Sequence, residues 1–150
     1  MAELVSANLI GDLPAEAARR WGTRCALEFR GASWSYEQFE QEVARITSAL
    51  QASGVRKGDR VATWLVNCAE AEFLFFAIIR AGAICVPLNT RYRTRDVAFA
   101  LKQSGTALLI TAAKSGPVDF GALLQEALQG EDAPRLREIV TMEPTSIEGA

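Results

Sequence analysis

The sequence predicts an α/β protein: a partial doubly wound, mostly parallel sheet with flanking helices, preceded by a helix and a small β-hairpin. Three observations carry this. From Arg60 onward, short apolar runs alternate with helical periodicities, the pattern of strands joined by crossover helices. Within that region, residues 54–89 read GVRKGDRVATWLVNCAEAEFLFFAIIRAGAICVPLN: a turn, a strand, an apolar helix, a glycine stop and a second strand. Two strands bridged by a helix in so few residues form a parallel pair, because a hairpin needs no helix between its strands. Finally, the bridging helix, with Phe73, Leu74, Phe75, Phe76, Ile78 and Ile79, has almost no polar face and must be covered on most sides.

Taken in order, Asp12 and Pro14 open a short helix that Gly22 closes after Trp21. Cys25 to Phe29 and Ser33 to Trp34 flank Arg30-Gly31 as a small hairpin. Ser35 and Gln38 have the spacing of a capping box, and the helix they open places Phe39, Val43, Ile46 and Leu50 on one face until Gly54. Val55 to Asp59 is a polar turn, with Lys57 and Asp59 structural, and Arg60 to Val66 a buried strand. Asn67 is placed to cap the apolar helix, Gly82 to stop it, and Ala83 to Val86 to form the second strand. Thr94 caps a weaker helix to Ser104, with Val97 and Leu101 inward, and Ala107 to Thr111 is a third strand. Asp119 caps an amphipathic helix carrying Phe120, Leu123, Leu124, Ala127 and Leu128, and Arg137 to Thr141 is a fourth strand.

At 150 residues, 49% hydrophobic and 23% charged, the chain can bury one core, and its net charge of −2 recruits neither nucleic acid nor an anionic membrane. No apolar run spans a bilayer or reads as an export signal. Three cysteines without CxxC spacing point to a reducing cytoplasm. The absence of histidine excludes Ser-His-Asp and Cys-His sites within this chain, and histidine-ligated metal with them. No catalytic residue and no metal ligand is assigned.

Four motifs in order, SYEQF (Ser35 to Phe39), GVRKGDRV (Gly54 to Val61), NCAEAEF (Asn67 to Phe73) and RAGAICVPLNTRY (Arg80 to Tyr92), resemble the N-terminal region of the adenylate-forming, AMP-binding superfamily. The likeness runs from about Leu13 to about Thr141, and the PLNTRY ending is most similar to acyl-CoA synthetases and other CoA ligases. The resemblance implies an ATP-dependent acid–CoA ligase in fatty acid metabolism, forming an acyl-adenylate and then an acyl-CoA. ATP, CoA and Mg would serve the full-length member, with a carboxylic acid and CoA as its small-molecule partners, and a homo-oligomer is compatible with it. It further implies that residues 1–142 form the incomplete N-terminal part of the large domain, with 143–150 a tail or the start of the next segment. The family's Ser/Thr/Gly-rich phosphate loop has no counterpart: Gly116 to Gly121 has the G-x-x-x-x-G spacing, but Ala122-Leu123 stand where Lys-Ser/Thr are required. This chain alone is therefore expected to be inactive and to bind none of these cofactors tightly. The rival reading is a self-standing flavodoxin- or receiver-like module, against which stands the lack of aspartate after the strands.

Open parallel sheets bind ligands beyond the carboxyl ends of their strands, which directs attention to the segment after Val86. Arg91, Arg93 and Arg95 lie there. Guanidinium groups suit phosphate, and the resemblance implies a CoA phosphate contact at Arg91, with Arg93 beside it; alternate arginines facing solvent is the competing reading. Asn89 is read as fixing its turn. Trp21, Trp34, Trp64 and the Phe73, Phe75, Phe76 group are read as core rather than an acyl tunnel, and Cys68 and Cys85 as small apolar residues rather than nucleophiles.

Overall fold

A computed structural model describes residues 9–130 and 135–143. The predicted residues 144–150 of the tail or next segment lie outside them.

A 3-10 turn at Ile10–Asp12 leads into α1 (Leu13–Trp21), whose Pro14 sits in the first turn where a missing N–H costs nothing. The antiparallel hairpin comes next as β1 (Cys25–Phe29) and β2 (Ala32–Ser35), turning through Arg30 and Gly31, both at positive φ. α2 (Tyr36–Ala52) opens on the predicted box: Ser35 Oγ accepts from the Gln38 N–H at 3.2 Å, and Gln38 Oε1 accepts from the Ser35 N–H at 2.8 Å. Val43 and Leu50 are buried on its inner face.

β3 (Arg60–Trp64) runs parallel to β4 (Ile84–Pro87), with α3 (Ala69–Arg80) between them in the chain, so the predicted crossover is present. β3 stops two residues short of the predicted Val66. Leu65 and Val66 are apolar because they pack against the core, not because they pair. The cap of α3 also differs from expectation: Cys68, in extended conformation, is the N-cap, and Asn67 lies one residue before it. Gly82 must be glycine, since its φ is +78° and an added Cβ would press within 3.3 Å of Lys57 Cβ.

From β4 the chain passes through α4 (Thr94–Ser104) to β5 (Leu108–Ala112) on the other side of β3. Here too the cap moves by one: Arg93 is the N-cap, and its N–H donates to Asp96 Oδ2 at 3.0 Å, while Thr94 begins the helix. A second hairpin, β6 (Lys114–Ser115) and β7 (Val118–Asp119), follows β5, with Gly116 at its turn. α5 (Phe120–Gly130) starts with Asp119 Oδ1 accepting from the Ala122 N–H at 2.8 Å, as expected of its cap. β8 (Glu138–Met142) then adds to β5, giving a parallel sheet of order β4-β3-β5-β8.

Side chains alternate across that sheet and build two cores. On one face Val61, Leu108 and Ile110 meet Val43 and Leu50 of α2 and Phe73, Ala77 and Ile78 of α3. On the other, Ala62, Trp64 and Leu109 meet Val97 and Leu101 of α4 and Phe120 and Leu124 of α5. Each fully buried Phe, Leu, Ile or Val in these clusters contributes about 1.5–3 kcal/mol by leaving water. Long polar bridges join the elements. The Arg80 guanidinium forks onto Glu40 at 2.8 and 2.7 Å and donates to the Gly11 carbonyl at 2.9 Å, binding α3 to α2 and to the 3-10 turn. Arg60 reaches from β3 to the carbonyls of Ser104 and Gly105, satisfying the end of α4.

Candidate functional site

The helices after β3 and β4 go to opposite faces of the sheet, and ligands of open α/β sheets sit beyond the carboxyl ends of the strands. The segment leaving β4 into that region is Leu88 to Arg95. Leu88 is buried and its N–H donates to the Thr63 carbonyl at 2.8 Å, extending the β3–β4 ladder by one residue. Asn89 then makes the turn: its side-chain Oδ1 accepts from the Arg91 N–H at 2.9 Å and its carbonyl from the Tyr92 N–H at 3.0 Å.

This turn sends Arg91, Arg93 and Arg95 outward at alternate positions, and all three are exposed. Among the described residues none of the three forms an ion pair. Beside them Tyr92, Arg95, Asp96 and Phe99 line a shallow groove of about 390 Å³, in which Phe99 is 65% exposed. The chemistry on offer is three unneutralised guanidinium groups beyond the carboxyl end of β4, which suits a phosphate-bearing ligand.

Sequence reasoning missed the anchor of this loop. Trp64 is fully buried as expected of core, yet its indole Nε1 donates to the Asn89 carbonyl at 3.1 Å. Nothing local in the sequence marks that bond, since the partners are 25 residues apart. Of the other aromatics, Phe73 meets Trp34 and Phe39 edge-on and Phe76 meets Phe39, as expected of core, and Trp21 packs on Tyr36, whereas Phe75, expected in the core, is 38% exposed and stands outside both clusters.

A larger concavity than the groove beside the arginines lies elsewhere. About 660 Å³ opens between α2, α3 and the β5–β8 side of the sheet, lined by Ile46, Leu50, Phe73, Ile110, Val140 and Met142. Its walls are apolar, with Glu42, Arg45, Glu70 and Glu143 also lining it and no convergent polar set, so it is an uncovered packing surface rather than a reaction site. Burial pushes the Cys68 thiol up to about 11 and raises Cys85 as well, leaving both poor nucleophiles, while Cys25 is exposed. Among the described residues no three His, Cys, Asp or Glu side chains converge on a metal position. None of the helices among the described residues is long and apolar enough to cross a membrane.

Comparison with known proteins agrees with the motif resemblance. A family model described as AMP-binding enzyme matches residues 14–149. The crotonobetaine/carnitine–CoA ligase of Shigella sonnei is 39% identical over 106 residues, a match covering 71% of this chain and 19% of that relative's length. Among solved structures, the inhibitor-bound N-terminal domain of FACL13 from Mycobacterium tuberculosis superposes with a TM-score of 0.80 at 27% identity, covering 92% of this chain and 34% of that one. A Mycobacterium tuberculosis fatty acyl CoA synthetase gives a TM-score of 0.79 at 24% identity over 94% of this chain and 30% of its own, which speaks for the fold. The chain thus spans about a fifth of the relative and about a third of the solved structures it matches. With sheet, crossover and motifs in agreement, the chain belongs to the AMP-binding enzyme family and corresponds to an N-terminal region of the adenylate-forming acyl-CoA synthetases.

Proposed function

We propose that this chain is the N-terminal scaffold of an ATP-dependent carboxylic acid–CoA ligase, working in the cytoplasm in fatty acid metabolism. In the complete reaction, acid and ATP give an acyl-adenylate and pyrophosphate, and the CoA thiol then displaces AMP to give the acyl-CoA. Residues 1–142 would supply the first part of the large domain and 143–150 a tail or the start of the next segment. ATP, CoA and Mg are the expected cofactors of the whole enzyme. Adenylation needs preorganised positive charge and a cation around the reacting phosphate, and this sequence carries no Ser/Thr/Gly-rich phosphate loop ending near a lysine. The chain by itself is therefore inactive and holds none of these cofactors tightly.

Its contribution to ligand binding is the loop after β4, where Arg91, with Arg93 beside it, meets a phosphate of CoA. The observation that carries this is the parallel β3–α3–β4 crossover delivering three unpaired, exposed arginines to the carboxyl edge of the sheet. The relatives' names support acid–CoA ligation as the class without choosing the acid. A receiver-like module, by contrast, needs aspartates at strand ends, where this chain has Leu65, Leu88 and Ala113 immediately after β3, β4 and β5.

The test has two arms. ATP–pyrophosphate exchange by the purified chain with a fatty acid should not rise above the blank, and a sustained signal overturns the scaffold role. In a titration monitored by NMR, CoA should shift the Arg91–Arg95 amides weakly, and Arg91→Gln should abolish the shift. Equal shifts in the variant remove Arg91 from the site.

A further inference from the structure

We propose that Trp64 is a positioning residue for the arginine loop, acting through the main-chain carbonyl of Asn89. The inference rests on the reading of Arg91 as a phosphate contact, and it names what holds that residue in place. An indole N–H is a donor only and, once buried, must find an acceptor. The Trp64 indole N–H reaches across to the first exposed residue beyond β4, at 3.1 Å from the Asn89 oxygen. That oxygen also accepts from the Tyr92 N–H at 3.0 Å, while Asn89 Oδ1 accepts from the Arg91 N–H at 2.9 Å. One residue therefore gathers three hydrogen bonds, of which only the indole bond comes from the rigid interior.

The indole itself has little freedom. Its ring meets Phe120, the first residue of α5, edge-on at 4.7 Å and 85°, and the Trp64 carbonyl accepts from Thr111 Oγ1 of β5 at 3.2 Å. Together with the Leu88 N–H on the Thr63 carbonyl, this clamps the root of the loop to β3 on both its main-chain and side-chain sides. A ligand phosphate is recognised best when the guanidinium waits in position, because ordering a loop on binding weakens affinity. Trp64 supplies that order from the core while the arginines stay in solvent.

Hydrogen exchange on the intact chain tests this. Trp64→Phe keeps an aromatic ring against Phe120 and removes the donor. It should speed exchange at the Arg91 and Tyr92 amides by about tenfold, the loss of one hydrogen bond, with a much smaller change at Leu109 to Thr111. An unchanged loop, or uniform acceleration across the sheet, overturns the proposal. Asn89→Ala provides a second route at an exposed position: it should move the Trp64 indole N–H resonance and speed exchange at Arg91, and an unmoved resonance counts against the proposal. Arg91→Gln separates the two ideas. It should leave loop exchange slow while removing the CoA-induced shifts; if CoA shifts survive in Arg91→Gln while Trp64→Phe still loosens the loop, positioning stands and the CoA assignment falls.

Discussion

Replacing Phe73 by alanine would cut into a place where hairpin, α2 and α3 meet on one side chain. Phe73 is 3% exposed and meets Trp34 of β2 at 5.7 Å and Phe39 of α2 at 5.0 Å, both edge-to-face. Phe→Ala in a core costs about 3–5 kcal/mol, more where the surroundings cannot collapse. Here the two ring neighbours hang on separate elements, β2 and α2, so the upper half of that range, about 4–5 kcal/mol, is expected. A domain of this size has roughly 7 kcal/mol to lose if it sits at the low end of the usual range. With a urea m-value of about 2 kcal/mol per M, the midpoint should fall by about 2 M. Phe73→Leu keeps most of the volume and loses both aromatic edges, each worth about 0.5–1.5 kcal/mol beyond area, so a loss of about 1–3 kcal/mol is expected. Urea unfolding monitored by circular dichroism gives these values, and a Trp34→Leu double-mutant cycle isolates the edge contact. A Phe73→Ala loss below about 1 kcal/mol, far under the cost of truncating a core aromatic, would refute the reasoning. So would a cycle showing no coupling to Trp34.

Three other expectations concern the surface, one carboxylate and the thiols. The apolar hollow beside β8, where Val140 is 38% exposed, should bind ANS strongly, whereas no ANS signal would show that this surface is closed. The Asp59 carboxyl is held below its ordinary value first by the Arg56 N–H and then by Arg137, whose guanidinium lies 2.7 Å away. A lowered folded value stabilises above the unfolded one, near 3.9, and that stabilisation is lost as pH falls through the folded value. Asp59→Asn should therefore destabilise at neutral pH and match wild type in strong acid; an equal difference at both would contradict it. With a thiol reagent at mildly alkaline pH, Cys25 should react fast, the half-buried Cys85 more slowly and Cys68 only on unfolding, so a fast Cys68 in the folded chain would disprove its burial.

Local pattern was enough to read most of this architecture. Period-2 and period-3.6 runs marked the strands and helices, and the short β3–α3–β4 path by itself required parallel pairing. The Ser35–Gln38 box and the Asp119 cap were legible because each is a contact within three residues. Where adjacent residues compete, that resolution fails. Asn67 and Thr94 carry better capping chemistry than Cys68 and Arg93, but the backbone leaves the extended region one residue later at α3 and one earlier at α4. The sequence likewise placed three arginines after a strand without saying what anchors them.

Tertiary structure alone decided the contacts between distant positions. The strand order β4-β3-β5-β8 is one of these. The Arg80 fork linking Glu40 and Gly11, Arg60 at the end of α4 and the Trp64 bond to Asn89 are among the others, joining residues 25 to 69 apart in the chain. Periodicity reports which face of an element is apolar, and so determines that a core exists. It carries no information on which polar atom of another element will lie within hydrogen-bond reach, because that distance is set only when both cores have closed around the sheet.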